Sequence, residues 1–383
     1  MTADRAMRTL VVSHTGATCG SNAVILGLLR HRPADQRVIC VFLSDGPVLA
    51  QARALGVEIS LIDAGRARAV LRASGAVLAL AGLAHRKRVD AVFAHTSKAQ
   101  IYASPAAMLA GVPSVWFEHE VPGSAKGAPG RQGVLQALAA RLPARAVLCT
   151  SDYVASRHRE LRPGAKVERQ YPGVHTEGVA VRSHGQADEI RLAIIGRLQR
   201  WKRVELALDC LKLALMDEPR LRLLVVGHAR PDLDADYPAE LRARAEVLGI
   251  AHAVDFVGDS ADPSAILLET DILLHLSDGD SFGLMVVEAM LRGVPVIASP
   301  AGGLAEVVRD GVDGLLVEPT DIQALASALR RLARDPVRRT EMGAAGRARV
   351  LERFDERRTA AETWARMAAL AAAPDSRLEA ARA

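Results

Sequence analysis

The chain has 383 residues, half of them hydrophobic but only 3% aromatic, with 49 Lys and Arg against 44 Asp and Glu and a formal net charge of +5. That length favours two domains over one, with cores built mostly of Ala, Val and Leu. Four cysteines without paired spacing (Cys19, Cys40, Cys149, Cys210) argue against zinc and a disulfide framework. The lack of a signal-peptide pattern or of about 18 consecutive apolar residues points to a cytoplasmic protein without a membrane span.

Charge divides unevenly. Residues 1–171 hold 22 Lys and Arg against 11 Asp and Glu, a net +11, whereas residues 172–383 hold 27 against 33, a net −6. A basic amino half suits anionic lipid headgroups or lipid-linked phosphates, and suits equally a solvated Arg-rich surface. Nucleic acid is disfavoured, because aromatic stacking residues are scarce and no binding motif occurs.

In chain order, Arg8 to Ser13 reads as a first strand, His14 to Ser21 as a glycine-containing loop, and Asn22–Arg30 as a helix. Strand, loop and helix in that order present backbone amides to a phosphate. Gly16 and Gly20 do not, however, complete the dinucleotide fingerprint, and a plain tight turn uses the same residues. Strands follow at Val38–Leu43, Val57–Ile62, Ala91–Ala94, Ser114–Phe117 and Ala146–Thr150, separated by helices at Pro47–Leu55, Ala69–Arg86, Lys98–Ala110 and Arg131–Arg141. His119 stands between Glu118 and Glu120 at a strand's carboxyl end, where open α/β sheets bind ligands. Two carboxylates approaching it in space would favour the charged imidazole; an ordinary surface histidine is the alternative. Ser151–Glu160 reads as a helix capped by Ser151 or Asp152. Tyr171 to Asp188 is turn-rich, so residues 173–188 read as a linker between domains 1–172 and 189–355.

In the carboxyl half Ile190–Ile195 is an apolar strand, followed by a loop carrying Gly196, Arg197 and Lys202 and a helix from Val204 to Met216. Arg197 and Lys202 suit a diphosphate, Arg by its planar fork and Lys as a point charge. Arg200 and Arg203 read as surface charge. Strands at Leu221–Val226 and Val254–Val257 alternate with helices at Tyr237–Leu248 and Pro263–Glu269. Ile272–Leu276 is then a buried strand, Ser277 to Gly283 a loop with Asp280 at its tip, Leu284–Leu291 a helix, and Val294–Ala298 a strand. The loop and helix start offer unpaired N–H groups to an anion. Asp280 and Glu288 offer carboxylates, natural acceptors for sugar hydroxyls, on either side of it. Helices at Asp321–Leu332, Pro336–Arg353 and Thr359–Ala373 and a loose tail complete the chain. Alternating strands and helices in both halves indicate an α/β fold with parallel sheets.

Several runs together carry a resemblance: Gly196-Arg-Leu-x-x-x-Lys202, Val225-Val-Gly227, Val254-Asp-Phe-Val-Gly258, Asp280-Ser-Phe-Gly-Leu to Glu288-Ala-Met, Gly293-Val-Pro-Val296, Gly302-Gly303-x-x-Glu306 and Gly311-x-x-Gly-Leu-Leu316. His14 to Gly20, Glu118-His-Glu120 with Pro122-Gly-Ser124, and Pro172-Gly-Val174 extend it thinly into the amino half. The chain resembles the family 4 retaining glycosyltransferases, densely over residues 150–355. The resemblance implies the GT-B fold: two Rossmann-like doubly wound parallel-sheet domains facing a central cleft, with a terminal helix crossing back to the amino-terminal domain.

It also implies roles. Arg197 and Lys202 hold the diphosphate of a nucleotide-diphosphate sugar and stabilise it as it leaves, and Glu288 binds the ribose. The backbone at Phe282, Gly283 and Leu284 meets phosphates or sugar, and the loops after Gly227 and near Val257 border the base. Asp280 and His119 orient the sugar, and Gly16 with its loop closes over the cleft. The family uses no protein nucleophile, no cofactor and no metal, so Asp278-Gly-Asp280, which spells the metal-binding tripeptide of the other large glycosyltransferase fold, is not read as a metal site. One position departs from the pattern: the family has glutamate where this chain has Asp280, one methylene shorter, which lengthens a contact to the donor sugar. The implied acceptor is a sugar or lipid-linked molecule in cell-envelope glycolipid or polysaccharide assembly, with peripheral contact to an anionic membrane through the basic half. A nucleotide-sugar epimerase and a non-catalytic nucleotide-sugar-binding partner are the rival readings.

Overall fold

The computed structural model describes residues 6–65, 70–122, 131–183, 188–229, 233–258 and 262–373. The chain forms two compact units, one of Met1–His175 with Asp355–Ala383 and the other of Thr176–Phe354. Gly123 and Ser124 of the amino-half motif, residues 184–187 of the expected linker and the expected loose tail lie outside the described residues.

The first unit is built in chain order from β1 (Met7–Ser13), α1 (Gly20–Arg30), β2 (Gln36–Phe42), α2 (Val48–Ala54), β3 (Glu58–Leu61), α3 (Val70–Lys87), β4 (Ala91–His95), α4 (Ser97–Ala110), β5 (Ser114–Glu118), α5 (Arg131–Arg141), β6 (Ala146–Cys149), α6 (Asp152–Leu161) and β7 (Val167–Arg169). Its sheet runs β3-β2-β1-β4-β5-β6-β7, every pair parallel. Helices on both faces explain why the central strands are near-continuous apolar runs, with Leu10, Val11, Val12, Val92, Phe93 and Ala94 all at 1% exposure or less. The strand order reverses between β1 and β4, so the loops after these two strands flank a switch point. Strand β7 has no counterpart in the sequence reading: three residues at a sheet edge give no periodicity to detect.

The second unit continues with β8 (Ile190–Ile195), α7 (Val204–Leu215), β9 (Leu221–Val226), α8 (Tyr237–Val247), β10 (Val254–Gly258), α9 (Pro263–Glu269), β11 (Ile272–His275), α10 (Leu284–Leu291), β12 (Val296–Ala298), α11 (Leu304–Val307), β13 (Leu315–Leu316), α12 (Ile322–Arg334) and α13 (Pro336–Arg353). Its sheet, β10-β9-β8-β11-β12-β13, is again parallel in every pair and reverses between β8 and β11. Leu192, Leu211, Leu223, Leu274, Ile297 and Leu329 share its core. Asp262, Asp321 and Asp335 start α9, α12 and α13 by accepting from backbone N–H groups of the first turn. The segment read as a linker is anchored where it is described. Val174 bridges to Asp355 in the first unit. In the second, the Arg182 N–H donates to the Arg292 carbonyl at 2.7 Å and its guanidinium pairs with buried Asp271 at 3.0 Å.

The last helix, α14 (Glu356–Ala372), belongs to the first unit and packs on α1. Trp364, 2% exposed, donates its indole N–H to the Leu28 carbonyl at 2.9 Å. Glu356 Oε1 gathers Arg30, His31 at 3.0 Å and His175 at 2.7 Å. The return of the terminal helix to the amino-terminal unit is thus as expected.

Candidate functional site

In the second unit the candidate residues sit at the carboxyl ends of β8 and β11. After Gly196, Leu198 turns into the core at 3% exposure and its N–H bonds the His228 carbonyl at 2.8 Å. This leaves Arg197 on the outside, without an ion pair or side-chain hydrogen bond among the described residues. A single 3₁₀ turn, Arg200–Lys202, follows. It is tied to the loop before α10 by Asp278, whose N–H bonds the Trp201 carbonyl at 2.9 Å and whose carboxylate takes Arg203 Nε at 2.7 Å. Arg203 is therefore engaged in holding the loop and is not a free surface charge. Arg200 forks onto Glu240 at 2.7 and 2.6 Å.

The tie brings Lys202 Nζ to 3.0 Å from Asp280 Oδ2, with the two side chains only 17% and 15% exposed. His275, which closes β11 and is 4% exposed, puts Nε2 3.0 Å from the same Asp280 oxygen and 3.4 Å from Lys202 Nζ. A small pocket is lined by Gly196, Arg197, Leu198, Lys202, Leu274 and His275 among others. Asp280, which the sequence reading has offering its carboxylate beside a bound anion, is here engaged by a cation and an imidazole. Its backbone is pinned by the Gly303 N–H, which donates to the Asp280 carbonyl at 2.8 Å.

Phe282 anchors the loop by burying its ring edge-on against Phe354, 5.3 Å between centroids. Gly283 then takes φ 88°, a left-handed conformation that suits glycine, and starts α10 with no side chain capping its first N–H groups. Leu284 is the first helical residue. Glu288 lies one turn further. Burial raises its carboxyl above the ordinary value, Arg292 opposes that shift, and the carboxylate accepts no hydrogen bond among the described residues. Val257 is 49% exposed on β10, an edge strand of this sheet.

In the first unit His119 follows β5. The expectation that its neighbouring carboxylates favour the charged imidazole is not met. Glu118 is fully buried and turned toward Ser97, whose hydroxyl lies 3.0 and 2.8 Å from its two oxygens. Burial, then the charge of Glu120, push the Glu118 carboxyl up to about 8. Glu120 instead accepts from Gln136 at 2.8 Å. His119 meets His95: Nε2 lies 3.4 Å from His95 Nδ1, and burial, then His95 and His14, hold its pKa well below the ordinary histidine value. His95 donates from Nε2 to the Ser21 carbonyl at 2.7 Å, which leaves Nδ1 as an acceptor. Gly16 sits in the loop after β1 against the loop after β2. A Cβ there would lie 2.3 Å from a Leu49 methyl and 2.7 Å from the Gly46 nitrogen, so only glycine fits. His95 and His275 were not singled out from sequence; the signal for each is one polar residue closing an otherwise apolar strand.

The model described as Glycosyl transferases group 1 matches residues 181–349, and that described as Glycosyltransferase Family 4 matches residues 19–177. The chain belongs to the group 1, family 4 glycosyltransferases. Among curated relatives of this glycosyltransferase family, the D-inositol 3-phosphate glycosyltransferase of Geodermatophilus obscurus is 35% identical over 208 residues, covering 51% of this chain and 44% of the relative. The chain thus spans less than half the length of the curated relatives it matches. Among solved structures, Anabaena HepE in complex with UDP and glucose superposes with a TM-score of 0.81 at 22% identity, covering 94% of this chain and 99% of that one. Sucrose-phosphate synthase of Thermosynechococcus elongatus gives 0.78 at 20% identity, covering 96% of this chain and all of the other. The fold is GT-B. Among the described residues no helix is long and apolar enough to cross a membrane.

Proposed function

We propose that this chain transfers a sugar from a nucleotide-diphosphate donor to an acceptor hydroxyl, with retention of configuration and without a metal ion. The observation that carries the reading is the pocket at the switch point between β8 and β11, lined by Arg197, which has no side-chain partner among the described residues, and by Lys202, which is paired with Asp280. Switch points at strand carboxyl ends are where open α/β sheets bind ligands. As the bond from the anomeric carbon to the diphosphate breaks, its electron pair goes to the phosphate oxygen, and these cations with the start of α10 stabilise the charge. The acceptor oxygen bonds the anomeric carbon from the same face, and a donor phosphate oxygen takes its proton. The half-buried Glu288, lacking a hydrogen-bond partner, is suited to receive ribose hydroxyls. His119, kept neutral, is suited to orient the sugar.

Metal independence is supported by the donor set: Asp278 is taken by Arg203, and Asp280 by Lys202 and His275. A uridine donor is supported by HepE, which was crystallised with UDP. For the acceptor, the name D-inositol 3-phosphate glycosyltransferase suggests a phosphorylated hydroxyl compound. The +11 charge of residues 1–171 suits such a phosphate, or a lipid-linked acceptor at an anionic membrane in cytoplasmic cell-envelope assembly.

The test is incubation with UDP-sugars and candidate phosphorylated or lipid-linked acceptors, with the product's anomeric configuration read by NMR. Retention, unchanged by a chelator, is expected. An inverted product overturns the retaining reading, and loss of activity in chelator overturns metal independence. Donor interconversion without acceptor favours the epimerase, and binding without turnover favours the non-catalytic partner.

A further inference from the structure

The Lys202, Asp280 and His275 cluster holds an internal competition. Asp280 Oδ2 takes Lys202 Nζ at 3.0 Å and His275 Nε2 at 3.0 Å, while the Lys202–His275 distance is longer, 3.4 Å. One imidazole nitrogen cannot donate to a carboxylate and accept from an ammonium at once. The shorter distance assigns the proton to His275 Nε2, donating to Asp280. Lys202 and His275 therefore both donate to the same Asp280 oxygen, and one of them is the cation assigned to the donor diphosphate.

We propose that Asp280 latches Lys202 before nucleotide binds, and that His275 is the positioning residue that keeps the Asp280 carboxylate satisfied when Lys202 leaves for the diphosphate. This rests on the reading of the second unit as the donor site. The physical argument is one of exchange. When the lysine turns to a phosphate, a largely buried carboxylate is left behind, and an unpaired buried charge is costly. His275 lowers that cost by remaining bonded to it. The backbone of Asp280 stays put, because its carbonyl is held by Gly303 N–H and it bridges to Gly302. The exchange is therefore confined to side chains.

The latch makes predictions of opposite sign for its two members, measured as affinity for UDP, GDP and ADP by calorimetry. Asp280→Asn removes both the competitor for Lys202 and a negative charge beside the phosphates, so the favoured nucleotide binds about tenfold tighter. His275→Leu removes the donor that stays with the carboxylate when Lys202 leaves, so binding weakens about five- to tenfold, while His275→Gln, which retains an N–H donor, recovers most of it. Because His275 acts through Asp280, the double variant binds as Asp280→Asn does. A merely structural role would weaken binding in both single variants and add in the double. Unchanged or weaker binding in Asp280→Asn overturns the latch while leaving the donor site intact; Asp280→Ala carries the same prediction should the first variant fail to fold. A His275→Leu loss that persists in the double variant overturns the positioning role. Wild-type protein that binds none of the three nucleotides overturns the donor-site reading and the latch together.

Discussion

The rings of His95 and His119 lie 4.2 Å apart, centroid to centroid, with His119 Nε2 directed at His95 Nδ1. Charging both would place two cations in contact, so burial and mutual repulsion favour the neutral pair. The same first unit holds His14 and His158, each lowered to about 4 by burial and then by a nearby cation, Lys98 and Arg162 respectively. His95 is also lowered to about 4, by burial, against the opposing pull of the Ser21 carbonyl.

These shifts predict a stability maximum. Between pH 6.5 and about 4 the unfolded chain binds more protons at these histidines than the folded one, so stability falls as the solution is acidified through that window. Glu118 has the opposite sign. Its carboxyl, raised to about 8, makes a contribution that is full below 4.5 and is lost as pH rises toward 8. With four lowered histidines against the raised carboxyls of Glu118 and Glu288, the acid limb is steeper and the optimum lies near pH 6.5. Thermal denaturation from pH 5 to 9 checks this. Glu118→Gln, which keeps the acceptor for Ser97, should flatten the alkaline limb alone; a limb unchanged by that substitution would show Glu118 ionised in the fold.

The docking of α14 predicts a large cost for Trp364. Its ring is 2% exposed and its N–H satisfies the Leu28 carbonyl. Trp364→Ala opens a cavity and is expected to lower stability by about 3–5 kcal/mol. Trp364→Phe keeps most of the volume and should cost about 1 kcal/mol, the usual worth of one hydrogen bond. Chemical denaturation distinguishes the two, and equal losses would mean that the bond matters more than the packing.

Gly16→Ala tests the contact between the loops after β1 and β2. The added methyl meets backbone at the Gly46 nitrogen as well as the flexible Leu49 side chain, so one neighbour cannot give way. A loss of about 1–3 kcal/mol is expected. A variant as stable as wild type would show that the two loops separate at little cost.

How far the sequence carried these conclusions depended on the range of the interactions. Helix α10 was legible to the residue, because Gly283 and the apolar run after it are local signals. So were β8 and β9, which are runs of Ile, Leu, Ala and Val interrupted only by Arg191 and Arg222. The state of the site residues was not legible. Lys202 meets Asp280 across 78 positions, and nothing near either residue announces the other. At Glu118-His119-Glu120 the local pattern misled, since adjacent residues leave a strand end in different directions and Glu118 is drawn inward by Ser97. Spacing reported which residues share a loop, while tertiary packing decided which of them face each other.

Glu288 offers a prediction in which binding and stability move apart. Its carboxyl is raised by burial, Arg292 only partly offsets that, and it accepts no hydrogen bond among the described residues. In the free protein this is an unfavourable place for a charge, so removing it relieves strain instead of breaking a contact. Glu288→Gln is therefore expected to melt at the same temperature as wild type or higher. The proposed ribose contact works in the other direction: a carboxylate waiting without a partner is a strong acceptor for two adjacent hydroxyls, and an amide is a weaker one. Nucleotide affinity should fall at least about tenfold, the loss of one charge-assisted hydrogen bond. A thermal-shift titration reads both at once, because the shift that UDP produces at a fixed concentration follows its affinity. A variant with raised stability and a diminished shift fits Glu288 as a residue kept for ligand at some cost to the fold. A variant with lowered stability and an unchanged shift would make Glu288 a structural residue of α10 and move the ribose contact elsewhere.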